Sequence, residues 1–242
     1  MIRNIVVVCS LIIFALISCG NSQAPREELG ERLLKEAAPR IFTLTPPSAG
    51  NHGGTGFLAK MPSGRTLMVS NRHVCEVAEN GLIAAHYPDN PSRSTVIKVI
   101  ESSSVTDLCL LEGIPGIEGM PVAKFYNPKK RIAVVGHPRL QPATFTEGYA
   151  YSRETVKAME PVSAKECKQK IESIDTLFGP IPVCVEELEA WKSTVVILPG
   201  SSGSPVFNAE AEIVGVMFAG EEETHWGIFV PIEDLKAFIS IY

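Results

Sequence analysis

Leu198-Pro199-Gly200-Ser201-Ser202-Gly203-Ser204-Pro205-Val206-Phe207 lies between two apolar runs, Thr194 to Leu198 and Ile213 to Phe218, whose alternation and branching read as strands. Gly200 to Pro205 is then a tight turn that glycine permits and that lifts one serine out of a sheet. Ser202, with Gly200 and Gly203 on either side, has a backbone free to bend so that its own N–H and that of Gly200 point the same way. Such a pair of donors is what an oxyanion needs. A flexible Gly/Ser linker would not be bounded by Val195-Val196-Ile197-Leu198 on one side and Pro205-Val206-Phe207 on the other. A serine hydroxyl is a poor nucleophile without a base, so this reading requires a histidine and an orienting carboxylate elsewhere in the chain.

Upstream of the turn the pattern is that of hairpins. A helical spacing of leucines runs from Glu27 to Ala38 and ends at Pro39. Strands are expected at Ile41 to Leu44, Thr55 to Ala59, Thr66 to Ser70, Leu82 to His86 and Thr95 to Ile100, with turns such as Pro62-Ser63-Gly64 between them. His73 follows one strand end, in Ser70-Asn71-Arg72-His73-Val74-Cys75. Asp107 opens another strand, in Asp107-Leu108-Cys109-Leu110-Leu111. Alone, each has a plain structural reading: a strand-end histidine is commonly structural or solvated, and a strand-entry aspartate commonly forms a turn. His52, in a glycine-rich loop, reads as solvated, and His137 in Gly136-His137-Pro138 reads as structural.

Taken together, Thr55-Gly56-Phe57, Ser70 to Val74, Asp107 to Leu111 and Gly200 to Pro205, in the order His, Asp, Ser, resemble the chymotrypsin-like serine peptidases. The bacterial trypsin-like and heat-stress protease branch is the nearest in pattern, and the resemblance runs from about Leu34 to the C-terminus. It implies an all-β fold of two six-stranded antiparallel barrels, the first over about 41–125 and the second over about 130–232, with a short helix before them and one from Ile232 to Ile239 after. It further implies a catalytic triad of His73, Asp107 and Ser202, an oxyanion hole from Gly200 and Ser202, a polypeptide substrate and no cofactor. Carried over position by position, the primary pocket would have its base at Val196 and walls from Met217, Gly220 and Gly227. An apolar slot of that kind would accept Val, Leu, Met or Phe, unless Glu221, Glu222 or Glu223 folds in and recruits a basic residue.

The sequence departs from the family in places. Ser201 stands where relatives carry Asp or Asn before the nucleophile, so activation by a freshly cut N-terminus is not expected. The chain reaches Tyr242 soon after the last expected helix, so a peptide-binding domain of the stress-protease kind is not expected. A segment over about 161–191 has no counterpart in short relatives; Ala164 to Ile174 has helical spacing there, and Cys167 and Cys184 would staple it. If the triad forms, Cys75 and Cys109 become neighbours, and a disulfide between them is expected in an exported protein, buried thiols being the alternative. No C-x-x-C spacing suggests a metal.

Export is read from the N-terminus. Arg3 precedes an apolar run from Ile5 to Ile17, too short to span a bilayer comfortably. Leu16-Ile17-Ser18-Cys19 resembles a bacterial lipobox, which implies a signal over 1–18, lipidation at Cys19, a tether over 19–30, a peptidase domain over 31–242 and a cell-envelope location. Gly20, rather than Asp, after the cysteine resembles lipoproteins sorted onward to an outer membrane. The formal net charge is −5, and with no basic stripe nucleic acid is not expected as a partner. The reading from another class is a catalytically silent lipoprotein that keeps the barrels as a binding scaffold.

Overall fold

The structure is a computed structural model that describes residues 26–48, 52–103, 105–161, 170–176, 179–221 and 224–242. Helix α1 (Arg26–Glu36) and a 3-10 turn at Ala38–Arg40 lead into β1 (Ile41–Thr45). The first barrel adds β2 (Gly54–Lys60), β3 (Thr66–Asn71), a one-turn helix α2 (Arg72–Cys75), β4 (Leu82–Tyr87), β5 (Asn90–Ser103) and β6 (Leu108–Leu111). These six strands close in the order β1-β2-β3-β6-β5-β4, every pairing antiparallel. Closure leaves no sheet edge, and the inward residues Phe42, Leu44, Leu58, Met68, Ile83 and Leu111 fill the interior.

The second barrel is built from β7 (Arg131–Gly136), β8 (Thr144–Pro161), β10 (Gly179–Val196), β11 (Pro205–Phe207), β12 (Ile213–Gly220) and β13 (Trp226–Pro231). Its order is β13-β12-β11-β7-β8-β10, closed by the pairing of β13 with β10. Helix α3 (Ile232–Ile239) follows, burying Ile232, Leu235 and Ile239. Leu29 and Leu33 of α1 are buried in the same apolar cluster as Phe57 of the first barrel and Phe207 and Val216 of the second. The two-barrel expectation is therefore met, with helices at both ends.

The segment over 161–191 is different from the helical expectation. Lys170 to Thr176 forms a strand, β9, paired with β10 from Val185 back to Gly179. The i, i+3 placement of Ile171 and Ile174 suggests a helix, but β-branched residues and a partner run, Ile181 to Val185, favour a pleated pairing over local spacing. Strand β7 pairs with β8 only as far as Tyr149, and β13 pairs with β10 only from Trp191 onward. Beyond those points β8 and β10 stay paired and β9 adds to β10, while Leu188 and Ala190 still face the core cluster that holds Phe207 and Val216. Ala164 to Gln169 and Cys167 lie outside the described residues, as does the Cys184 side chain, so the expected Cys167 to Cys184 staple falls outside them too.

Candidate active site

Helix α2 and the residue before β6 bring His73 and Asp107 together. His73 Nδ1 lies 2.8 Å from Asp107 Oδ2, and the His73 backbone N–H donates to Asp107 Oδ1 at 3.1 Å. One carboxylate thus holds both the ring and the backbone of one residue, which fixes the imidazole's orientation and places a proton on Nδ1. Asp107 is 4% exposed and sits at φ 50°, a left-handed conformation that asparagine and aspartate tolerate better than other side chains. That conformation aims its carbonyl at Arg72 N–H and Asn71 Nδ2, both at 3.0 Å. The segments are also tied covalently: Cys75 and Cys109 form a disulfide, as expected.

The turn that carries Ser202 runs from the end of β10 to β11. Ser201 N–H donates to Leu198 O and Ser204 N–H to Ser201 O, both at 3.0 Å, closing the turn. Gly200 (φ 91°) and Gly203 (φ 85°) take conformations that a side chain would strain. A Cβ at Gly203 would be driven into the Thr55 carbonyl oxygen, and one at Gly200 would stand 2.9 Å from Arg139 N and His137 O. The N–H groups of Gly200 and Ser202 have no hydrogen-bond acceptor among the described residues. The Ser202 hydroxyl donates to the Phe218 carbonyl at 3.1 Å.

Gly54 marks where the two barrels meet. A Cβ there would be 2.5 Å from Val74 Cγ2 and 2.8 Å from Ser202 O, so the residue after His73 and the residue proposed as nucleophile border one point. The neighbouring Thr55 does most of the joining. Its N–H donates to Ser202 O at 2.7 Å, its hydroxyl to Gly200 O at 2.8 Å, and its Oγ1 accepts the His137 N–H at 3.2 Å. His137 is buried and structural in its contacts, with ring nitrogens at 2.9 Å from Gln141 O and 3.1 Å from Ile41 O. The exposed His52 takes no part in the site.

The residues expected around the primary pocket are partly brought together. Gly220 and Gly227 are cross-strand partners, and Met217 Sδ lies 2.8 Å from where a Gly227 Cβ would be. Met217 is fully buried. Val196, at the end of β10, is 47% exposed and paired with Trp226, whereas Ile197 Cγ1 stands 3.2 Å from a Gly220 Cβ. Successive residues of a strand face opposite ways, so the neighbour of the expected base, not the base itself, borders the glycine wall. Glu221 is turned to Lys192 Nζ (3.2 Å) and to the Thr224 hydroxyl (3.0 Å). Those bonds, the ammonium's first, hold its carboxyl below the usual carboxylate range. Glu222 and Glu223 lie outside the described residues, as does Cys19. Among the described residues no cluster of ligating side chains could hold a metal ion, and no helix is long and apolar enough to cross a membrane.

Two contributors were not foreseen. The sequence places Thr55 in a strand and in the Thr55-Gly56-Phe57 motif but gives it no joining role, and Phe218 acts through its carbonyl, which no side-chain pattern reveals. The signal for Thr55 was its place beside Gly54 and Gly56, where close backbone approach is affordable.

Comparison with known proteins agrees with this arrangement. The chain is 25% identical over 197 residues to the Serine protease Do-like HtrB of Bacillus subtilis (strain 168); the alignment takes in 77% of this chain and 37% of that protein's length. Among solved structures, a serine endoprotease from Yersinia pestis superposes with a TM-score of 0.62 at 16% identity, over 87% of this chain and 65% of that one. A protease from Mycobacterium tuberculosis in its active form gives 0.62 at 15% identity, over 86% and 82%. At these identities the superpositions speak for the fold alone. The family model of the trypsin-like peptidase domain matches residues 54–216, a span that opens at the seam glycine and contains His73, Asp107 and the Ser202 turn. The chain belongs to the family of trypsin-like peptidase domains.

Proposed function

We propose that the protein is a serine endopeptidase that cleaves polypeptides through His73, Asp107 and Ser202. The observation that carries this reading is the two-point hold of Asp107 on His73, at 2.8 and 3.1 Å, beside a turn whose paired N–H donors are unoccupied. Rotation about the Ser202 Cα–Cβ bond takes the hydroxyl from Phe218 O toward the imidazole. His73 Nε2 then accepts the hydroxyl proton while Oγ attacks the scissile carbonyl carbon, and the carbonyl oxygen becomes an anion held by Gly200 and Ser202 N–H. As the tetrahedral species collapses, the C–N bond breaks and His73 gives its proton to the departing amine. A water molecule, deprotonated by the same ring, hydrolyses the acyl-enzyme. Asp107 holds Nδ1–H throughout and stabilises the imidazolium.

Backbone recognition falls to the run Val216 to Gly220 of β12, along which an extended peptide adds an antiparallel strand. The pocket beyond it, bordered by Ile197, Met217, Gly220 and Gly227, has an apolar border among the described residues and favours an apolar side chain such as Val, Leu, Met or Phe. Anchoring belongs to the same reading: Cys19 carries lipid after removal of 1–18, the peptidase domain follows the tether, and the protein works at the cell envelope.

The test is a fluorophosphonate probe and a peptide library, applied to wild type and Ser202→Ala. Wild type should label covalently and cut after apolar residues, and the variant should do neither while unfolding at the same temperature. A folded wild type with no label and no cleavage would favour the silent scaffold. Cleavage after Arg or Lys would overturn the pocket assignment.

A further inference from the structure

The segment joining the barrels, Lys124-Phe125-Tyr126-Asn127-Pro128-Lys129-Lys130, is built in an unusual way. Phe125 is 74% exposed, while the next residue, Tyr126, is turned inward, its ring edge-on to Trp191 at 5.8 Å and to Phe229 at 6.0 Å. The turn is held: Lys129 N–H donates to Asn127 Oδ1 at 3.1 Å, Lys130 N–H to Asn127 O at 2.9 Å, and Lys236 Nζ to Lys124 O at 2.8 Å. A phenylalanine is therefore presented to solvent by an ordered turn. Around it stand Lys124, Lys129 and Lys130, all exposed, and none has a carboxylate partner among the described residues. The chain as a whole is acidic, at −5, so this cationic cluster runs against its composition.

The turn also has a defined neighbour. It forms one wall of a cleft of about 600 Å³ whose other wall is α1, with Leu29, Arg32, Phe125, Lys130 and Val214 in the lining. Glu210 and Glu212 also line it; Glu212 accepts from Asn208 Nδ2 at 2.9 Å, and Arg32 caps Ala209 O at 2.6 Å. Helix α1 begins at Arg26, so residues 20–25 alone separate it from Cys19. The seven residue steps from Cys19 to Arg26 reach at most about 24 Å, which keeps the turn close to whatever holds Cys19.

We propose that the Lys124 to Lys130 turn is a membrane-contact site: Phe125 enters the interface of a phospholipid bilayer while Lys124, Lys129 and Lys130 engage anionic headgroups. An aromatic ring ringed by lysines suits that boundary, where the ring is apolar at one level and the ammoniums meet phosphate at the next. A second contact besides the lipid would fix the domain's orientation, presenting one face to the bilayer in place of free rotation on a tether. The inference deepens the anchoring reading, and the experiment separates the two.

Mass spectrometry of the purified full chain first reports lipid on Cys19, which decides the anchor by itself. The Phe125→Trp protein is then mixed with vesicles of brominated phosphatidylcholine, with and without phosphatidylglycerol, beside wild type to subtract Trp191 and Trp226. Quenching beyond wild type is expected in the anionic vesicles. Vesicle affinity of the full-length, unlipidated Cys19→Ser chain should fall about fivefold for each lysine replaced, measured with Lys129→Gln and Lys130→Gln singly and together. Absence of extra quenching at position 125 overturns the proposal even if Cys19 is lipidated. So does affinity unchanged by the lysine replacements, or a Phe125-dependent dimer in place of vesicle binding.

Discussion

Asp107 carries two demands that few residues meet at once. Its backbone sits at φ 50° so that its carbonyl reaches Arg72 N–H, and its carboxylate must still reach back to both donors of His73. Asn can adopt the same backbone, so Asp107→Asn tests the charge and the proton placement without disturbing the chain. An amide NH2 facing Nδ1 selects the wrong tautomer, and kcat should drop by roughly 10⁴-fold with the unfolding temperature little changed. Steady-state kinetics beside a thermal melt check this; retention of most of the turnover would remove Asp107 from the proposed mechanism. At this scale the candidate site was legible because its chemistry resides in side chains held in short motifs. Phe218 O and the Gly203 contact with Thr55 were not, since they join backbones far apart in sequence through a fold that the motifs do not spell out.

Among the elements, strands with regular alternation match the expectation, such as Thr66 to Ser70 inside β3, while β10 reaches back to Gly179, far beyond the run Thr194 to Leu198 expected there. The reason is physical: the outer part of β10 is held by pairing with β8 and, over 179–185, with β9, a pairing between segments that local spacing does not announce. The disulfide at the root of α2 and β6 was legible through the proximity that the triad would demand. Its loop separation is 34 residues, for which chain entropy gives about 4 kcal/mol. The Cys75→Ser/Cys109→Ser protein should lose stability of that order in urea unfolding, with activity falling as α2 loosens from β6. A loss under ~1 kcal/mol would mean that the bond neither constrains the unfolded chain nor holds the His73 segment. In α3, burial pushes the Asp234 carboxyl above its ordinary value, against the pull of the nearby Arg153. The protonated form therefore favours the fold. Its contribution is complete below the unfolded value, near 3.8, and is lost as pH rises through the folded one. Wild type compared with Asp234→Asn should accordingly be relatively more stable at pH 3 than at pH 7, and melting temperatures that move in parallel across that range would refute the assignment.

At the scale of the molecule, each barrel carries part of the candidate site. The first carries His73 and Asp107, the second the Ser202 turn with Gly200, and in the proposed mechanism the rate depends on how firmly the halves are registered. Thr55 is the central fastening: fully buried, it donates through its N–H to Ser202 O and through its hydroxyl to Gly200 O, and accepts from His137 N–H. Its own carbonyl accepts the Ser70 hydroxyl at 2.7 Å, which extends the connection toward the strand that ends at α2. Thr55→Val keeps the shape and the N–H but removes Oγ1, leaving the Gly200 carbonyl and the His137 N–H without partners in a dry seam. Two unsatisfied buried groups cost roughly 2–4 kcal/mol, and the peptide following Gly200 N–H loses its fixed orientation. The expected result is a lower melting temperature together with a fall in kcat that exceeds any rise in KM, because the oxyanion contact strengthens only as the transition state forms. Thr55→Ser, which restores the hydroxyl but lacks the methyl, should recover most of kcat. If serine and valine at position 55 lowered kcat alike, the methyl's packing rather than the hydrogen-bonded clasp would be what registers the barrels.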